Sequence, residues 1–238
     1  MPKEKKHSKR YRKALELIDQ TKLYSLKEAV DLLGNFPKAK FDETVDLHFQ
    51  LGVDPRQSDQ MVRGTVALPH GSGKTVKVLV FSKEGPSADA AREAGAEFVG
   101  FEEYIEKVTG GWVGFDVAVA TPDAMVEVRK LGRVLGPRGL MPNPKTGTVT
   151  DDTAKAVNEL KAGRIEYKVD KCSNLHVPVG KVSFDSEKIL ENASQVISTL
   201  AKAKPPGVKG TYIKSIVLSG TMSPSVRVDL KEAATTAV

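Results

Sequence analysis

Hydrophobic and polar residues alternate in two separated parts of the chain, and this alternation predicts half-buried strands. The first such segment is FDETVDLHFQL (41–51), whose apolar face holds Phe41, Val45, Leu47, Phe49 and Leu51. RIEYKV (164–169) and NLHVPVGKVSF (174–184) repeat the pattern near the other end, and YIKSIVLSG (212–220) reads as one more strand. Such a pattern is typical of antiparallel sheets with one covered face. Both ends of the chain are therefore expected to build one such sheet.

Helical periodicity accompanies these strands. It predicts helices over roughly 8–19, 25–35 and 186–203. Ser25 precedes the second helix and Glu28 follows three residues later, which is the spacing of a capping box.

The middle of the chain follows a different pattern, in which short apolar runs alternate with helical segments. The runs VKVLVF (76–81), AEFVG (96–100) and FDVAVA (115–120) are separated by PSADAAREAG and EEYIEKVTG, and helices are expected from Pro122 and over about 151–162. This series is typical of a layered α/β sheet. We therefore predict an α/β (α+β) fold of two domains. Residues 1–70 and 160–238 form a discontinuous domain of antiparallel sheet and helices, and 71–159 form an inserted Rossmann-like α/β domain.

The charge balance favours an anionic partner. Of the 238 residues, 36 are Lys or Arg and 30 are Asp or Glu, which gives a net charge of +6. Seven cations lie in the first thirteen residues, against the single acid Glu4: Lys3, Lys5, Lys6, Lys9, Arg10, Arg12 and Lys13. This basic arm is either a solvated terminus or a contact for nucleic acid, and the charge run alone does not decide between them.

The sequence offers no constellation for catalysis. Cys172 is the one cysteine, so no disulfide can form within the chain, and the four histidines lack metal-ligand spacing. Neither a secretory signal nor an apolar stretch of membrane-spanning length is present. We expect a cytoplasmic protein that is not an enzyme, has no cofactor and has no contact with a membrane.

The segment LPHGSGKT (68–75) ends like a phosphate-binding loop but does not satisfy its requirements. Leu68 stands where a P-loop has its first glycine, and Thr75 leads into a predicted strand instead of a helix. The segment is therefore interpreted as a glycine-rich connection. A nucleotide enzyme using Lys74 remains an alternative, which a nucleotide titration would test.

The segment LGRVLGPRGLMPNPKTGTV (131–149) concentrates prolines, glycines and the cations Arg133, Arg138 and Lys145. Its prolines and glycines are incompatible with a continuing helix, so a stiff loop is expected. Two readings stay open: a structural turn over the end of the sheet, or a preformed basic edge for RNA phosphates.

Six segments together resemble the ribosomal protein L1 family of the bacterial large subunit. They occur in order over almost the whole chain: KFDETV (40–45), VRGTVALPHGSGK (62–74), GRVLGPRGLMPNPKTGTV (132–149), KAGRIEYKVDK (161–171), HVPVGK (176–181) and TMSPSVRV (221–228). The resemblance implies a non-enzymatic protein whose discontinuous domain binds 23S ribosomal RNA and forms a mobile stalk near the tRNA exit site. It also implies that the protein assists release of deacylated E-site tRNA beside other components of the large subunit, and represses translation of its own operon mRNA.

The resemblance also supplies candidate RNA contacts. They are Lys40, Phe41, Thr44, Asp170, Lys171, Ser215, Thr221 and Met222. The lysines suit phosphates, and the small hydroxyls suit close approach to ribose 2′-OH groups. Phe41 has two readings, since alternation places it with the core while the resemblance places it at the RNA. Ser215 and Thr221 have the same strand parity, which puts both on one face if the strand stays regular.

Two positions depart from the family pattern. Ser223 replaces the glycine of the usual Thr-Met-Gly, and Gly220 stands where a threonine is common. Glycine at a contact lets RNA approach the backbone closely, and Ser223 either narrows that space or adds a hydroxyl contact. A protein-only scaffold that uses the middle domain is the remaining alternative, and it predicts no salt-dependent affinity for RNA.

Overall fold

The computed structural model describes residues 7–208 and 210–230. The chain divides into two compact units. One unit contains the residues up to Gly73 together with those from Tyr167 onwards, and the other runs from Lys74 to Glu166.

The elements follow the chain in three groups. The first group is α1 (Lys9–Glu16), α2 (Leu26–Asn35), β1 (Thr44–Leu51) and β2 (Arg63–Ala67). The second is β3 (Val78–Phe81), α3 (Pro86–Glu93), β4 (Phe98–Gly100), α4 (Glu102–Thr109), β5 (Val117–Ala120), α5 (Met125–Val128), α6 (Gly132–Leu135) and α7 (Thr153–Lys161). The third is β6 (Arg164–Lys168), β7 (Asn174–Lys181), α8 (Ser186–Lys202), β8 (Ile213–Gly220) and β9 (Val226–Val228).

The first unit is built on a four-stranded sheet in the order β7-β1-β8-β9. Strand β1 lies antiparallel to both neighbours, pairing Gln50 with Asn174 of β7 and with Ser215 of β8. Alternate residues of β1 are fully buried, namely Val45, Leu47, Phe49 and Leu51. The predicted alternation of β1 and an antiparallel sheet built from both ends of the chain are therefore confirmed. The strand expected at 164–169 does not join this sheet, because β6 pairs with β2 in a separate two-stranded sheet.

Helices α2 and α8 cover the buried face of this sheet. Ser25 and Glu28 form the predicted capping box, each side chain accepting the other's backbone N–H. Helix α8 turns one apolar stripe inward, which includes Ile189, Val196 and Leu200. The opposite face of the sheet is left with the polar residues of the same alternation.

Strand β9 was not predicted from the sequence. It has three residues, and it follows the turn-forming run around Pro224, so local periodicity gives it no signal. Its pairing partner makes it a strand, because Ile216 and Leu218 of β8 stand opposite Val228 and Val226.

The second unit contains a parallel sheet in the order β4-β3-β5. Leu79 and Phe81 pack on one side of β3 with residues from α4, α5 and α6, while Val78 and Val80 pack on the other side with α3 and α7. Since both faces are covered, β3 has no polar alternation and reads as one apolar run. The mixed fold, with a four-stranded antiparallel sheet, a two-stranded sheet and a three-stranded parallel sheet, confirms the predicted fold class.

The loop expectation for 131–149 is partly wrong. Residues Gly132–Leu135 form the short helix α6, because Leu131 and Leu135 are drawn into the core of the second unit. After Gly136 the chain leaves the helix, and a tight turn around Asn143 follows, whose carbonyl accepts the N–H groups of Thr146 and Thr148. Arg133, Arg138 and Lys145 are exposed.

The segment that resembles a phosphate-binding loop is an irregular connection between β2 and β3. Asn192, which is fully buried, accepts the His70 N–H and donates to the Gly71 carbonyl. Lys74 forms an ion pair with Asp116, and this hydrogen bond lowers the pKa of the Asp116 carboxyl. The lysine needed for a nucleotide phosphate is thus engaged within the second unit, which counts against the nucleotide alternative.

Candidate nucleic-acid interface

The open face of the antiparallel sheet is polar and partly exposed. Its side chains come from the positions between the buried ones: Thr44, Asp46, His48 and Gln50 of β1, Ser215, Val217 and Ser219 of β8, and Asn174, His176 and Pro178 of β7. These positions are exposed or half-buried, whereas the residues between them on each strand are buried. We call this surface, with the chain segments at its two ends, the open face.

Lys40 and Phe41 lie at one end of the open face, just before β1. Both are exposed, and the side chain of Phe41 is 54% accessible. The core-packing reading of Phe41 is therefore wrong. Strand β1 begins only at Thr44, so the alternation that links Phe41 to Val45 does not extend that far.

Thr44 and Thr221 are joined by hydrogen bonds at the same end. The Thr44 N–H donates to Thr221 Oγ1 at 3.0 Å, and the Thr221 N–H donates to the Thr44 carbonyl at 3.0 Å. Lys181 Nζ donates to Thr44 Oγ1 at 2.9 Å, which brings a cation to the same place. The Thr221 hydroxyl thus connects the two strand ends.

Met222 is 54% exposed, but both polar groups of its backbone are hydrogen-bonded within the protein. Its N–H donates to Glu43 Oε2 at 2.9 Å, and its carbonyl accepts from Arg10 Nη2 at 2.6 Å. The sequence analysis did not single out Glu43, and it named Arg10 only as one cation of the basic arm. The sequence did contain a signal for Glu43. This acidic residue occupies a position that the alternation assigns to the apolar face, together with Val45 and Leu47.

The two departures from the family pattern interact with each other. Gly220 is buried, and its N–H donates to Ser223 Oγ at 2.8 Å. A Cβ at position 220 would lie 2.9 Å from that oxygen. The expectation that RNA approaches the Gly220 backbone is thus wrong, because this residue faces the core and its N–H is engaged.

Asp170 and Lys171 lie in the turn between β6 and β7. Asp170 Oδ1 accepts the N–H of Cys172 at 2.9 Å and that of Asn174 at 2.7 Å, so the carboxylate shapes the turn. Lys171 is exposed at its tip. Ser215 lies nearby on β8, with its hydroxyl 3.4 Å from Gln50 Oε1.

The eight residues of the predicted site thus form two groups. Lys40, Phe41, Thr44, Thr221 and Met222 lie at the start of β1, whereas Asp170, Lys171 and Ser215 lie at its other end. At the ordinary strand rise, the six residue steps from Thr44 to Gln50 separate the groups by about 20 Å.

A histidine pair occupies the middle of the open face. His48 and His176 are direct cross-strand neighbours, their Nδ1 atoms share a hydrogen bond of 2.8 Å, and His48 Nε2 lies 2.8 Å from Ser219 Oγ. Burial lowers the pKa of His48, as does the nearby His176, while Asp46 opposes them. Sequence reasoning missed this pair, although the polar positions of the same alternation contained it.

Other site types find little support in the described part of the chain. Within it, no group of three or more His, Cys, Asp or Glu side chains is suited to hold a metal ion. Among these same residues, none of the helices combines the length and the apolar character that crossing a membrane requires.

The fold and the open face define a mixed α/β protein of two units, with a polar sheet surface suited to an RNA backbone. The chain belongs to the ribosomal protein L1p/L10e family, whose model matches residues 33–224. It is 58% identical over 229 residues to the large ribosomal subunit protein uL1 of Persephonella marina, with 94% of each chain covered. The family resemblance drawn from the sequence motifs is confirmed.

Proposed function

We propose that this protein is a non-enzymatic constituent of the large ribosomal subunit that binds 23S ribosomal RNA through its open face. Membership of the ribosomal protein L1p/L10e family carries this proposal, together with the name of its uL1 relative. The protein would act in the cytoplasm, on the ribosome, beside other components of the large subunit.

The composition of the open face supports RNA as its ligand. Short hydroxyl side chains at Thr44, Ser215 and Thr221 allow close approach to ribose 2′-OH groups, which distinguish RNA from DNA. Lys40 and Lys171, at opposite ends of the face, are both exposed and suit phosphates on either side of the bound segment. A spacing of about 20 Å between the ends matches recognition of a folded RNA shape better than recognition of one base.

The finer functions rest on the family resemblance. We propose that the RNA-bound protein forms a mobile stalk near the tRNA exit site and assists release of deacylated E-site tRNA. We further propose that it represses its own operon mRNA through an RNA shape similar to the ribosomal site. Both RNAs would occupy the same open face, so binding of one would exclude the other.

Thr221→Val tests the site. The change keeps the shape but removes the hydroxyl that joins the two strand ends, so affinity for a 23S ribosomal RNA fragment should fall by about 1–3 kcal/mol. Thr221→Ser keeps the hydroxyl and is the matched control, expected to bind as the wild type does. Affinities are measured at one fixed salt concentration, because phosphate contacts make them salt-dependent.

The same variants test the shared surface for the operon mRNA. Thr221→Val should weaken both RNAs by a similar factor, and the ribosomal fragment should displace the mRNA from wild-type protein. Full affinity of Thr221→Val for the ribosomal fragment would remove Thr221 from the proposed site. Simultaneous binding of both RNAs would contradict the shared surface.

A further inference from the structure

Glu43 is the one charged side chain that is buried among the described residues, at 5% accessibility. Burying a carboxylate is costly unless hydrogen bonds and an opposite charge compensate for the lost water. The contacts of Glu43 therefore indicate what its burial achieves.

Both oxygens of Glu43 accept hydrogen bonds. Oε1 accepts from Arg10 Nη1 at 3.0 Å and from the Ala39 N–H at 3.1 Å, and Oε2 accepts from the Met222 N–H at 2.9 Å. Arg10 in turn donates from Nη2 to the Met222 carbonyl and from Nη1 to the Pro37 carbonyl. Glu43 and Arg10 together thus bind both backbone polar groups of Met222.

These bonds tie together the two segments that carry the proposed contacts at the start of β1. The Ala39 N–H precedes Lys40 and Phe41 directly, and Met222 follows Thr221. Phe41 and Met222 are each 54% accessible, so neither side chain has core packing that would fix it. Their backbone is held in place from the buried side instead.

We propose that Glu43 and Arg10 are positioning residues for RNA binding, which hold the Lys40–Phe41 segment and the Thr221–Met222 turn in the binding geometry. This inference rests on the proposed function. It assigns Arg10 a different role from the other cations of its helix. Both of its terminal nitrogens donate to acceptors within the protein, and its side chain is 25% accessible. Ordering the site in the free protein reduces the entropy lost on binding.

Glu43→Gln tests the proposal. The carboxamide of glutamine keeps the shape of the Glu43 side chain, but its NH2 group cannot accept a hydrogen bond. The donors to one of the two Glu43 oxygens therefore lose their acceptor. Affinity for the 23S ribosomal RNA fragment should fall at least about fivefold, the effect of one lost hydrogen bond. Asp42→Asn is the matched control. Asp42 accepts from the Ser183 N–H and hydroxyl, away from Met222, and its variant should bind within about twofold of wild type.

A double-mutant cycle distinguishes positioning from general stability. If Glu43 acts through the Thr221–Met222 turn, Glu43→Gln and Thr221→Val together should lose clearly less affinity than the product of their separate effects. A multiplicative result would overturn the positioning role. The cooperative unfolding of each variant is followed by circular dichroism.

Arg10→Lys provides a second variant, and it decides the matter if Glu43→Gln does not fold. A lysine keeps the charge but cannot donate to Glu43 and Met222 as a planar fork, so affinity should again fall at least about fivefold. Wild-type affinity of Arg10→Lys, or equal effects of Glu43→Gln and Asp42→Asn, would refute this inference while leaving the proposed function intact. Absence of any effect of Thr221→Val would instead count against the proposed site itself.

Discussion

At the residue scale, Gly220 and Ser223 occupy space that only one side chain can fill. A Cβ at Gly220 would lie 2.9 Å from Ser223 Oγ and 3.3 Å from Glu43 Oε2. The Gly220 N–H already donates to that Ser223 oxygen. The effect of a substitution at one of these positions on stability should therefore depend on the residue at the other.

Gly220→Ala should lower the free energy of unfolding by about 1–3 kcal/mol, because the added methyl overpacks a buried site. In a Ser223→Gly background the same change should cost clearly less, since the opposing oxygen is gone. Urea unfolding of the four proteins measures the coupling. Equal costs in both backgrounds would show that the two positions are independent.

The histidine pair predicts a pH dependence of stability. Burial, and secondarily the charge of His176, lower the pKa of His48 in the folded protein. The unfolded chain therefore binds the proton more tightly, so the contribution of His48 is complete above its unfolded pKa of about 6.5. It is lost as the pH falls below that value and through the lower folded pKa.

Melting temperatures at pH 7.5 and pH 5.0 check this expectation for wild type and His48→Gln. The decrease in melting temperature from pH 7.5 to pH 5.0 should be smaller in His48→Gln, because this variant lacks the group that resists protonation in the folded protein. His176→Gln removes the neighbouring charge and should give an intermediate decrease. An identical decrease in melting temperature in all three proteins would contradict the attribution of this pH dependence to His48.

At the element scale, α1 combines one structural cation with exposed ones. Arg10 bonds to Glu43 and Met222, whereas Lys9, Arg12 and Lys13 are exposed. Part of the predicted basic arm is thus a helix. Lys3, Lys5 and Lys6 lie outside the described residues.

Replacing Lys9, Arg12 and Lys13 by glutamine separates the two readings of the basic arm. If these cations contact phosphates, the slope of log affinity against log salt should fall by up to about 2. Discrimination between RNA shapes should persist, since phosphate contacts carry no sequence information. Arg10 is left intact as the internal control, because its loss would disturb the Met222 turn. An unchanged slope would mean that the helix face is only solvated.

At the scale of the whole molecule, the division into two units bears on where RNA binds. All eight proposed contacts belong to the unit formed by the residues up to Gly73 and from Tyr167 onwards. We propose that 71–159 is an insertion into that unit. The buried face of its sheet comes from β1, β7, β8 and β9, none of which belongs to the middle segment.

Joining Pro69 to Lys161 through a short glycine linker should give a soluble protein that retains specific affinity for the 23S ribosomal RNA fragment. The connection keeps β2 and β6 complete, and loop-closure cost grows slowly with length. The excised 71–159 segment should bind the same fragment weakly at most. Tight binding by that segment, with a folded joined protein that fails to bind, would transfer the site to the basic loop around Arg138.

The sequence by itself determined the elements whose signals are local. Alternation located β1, β7 and β8, the capping box located the start of α2, and short, mostly apolar runs located the strands of the parallel sheet. These signals lie within a few residues of each other, because burial of one face repeats with the period of the strand or helix. The motifs likewise identified the family before any contact was known.

The tertiary structure alone decided which segments meet. The Thr44–Thr221 bond joins residues 177 positions apart and the Arg10–Met222 bond joins residues 212 positions apart, so no local pattern contains them. Strand β9 likewise exists through its pairing with β8, in which Ile216 stands opposite Val228. The sequence could name residues suited to RNA, but their division into two groups, and the buried carboxylate beneath one group, depend on long-range packing that periodicity does not encode.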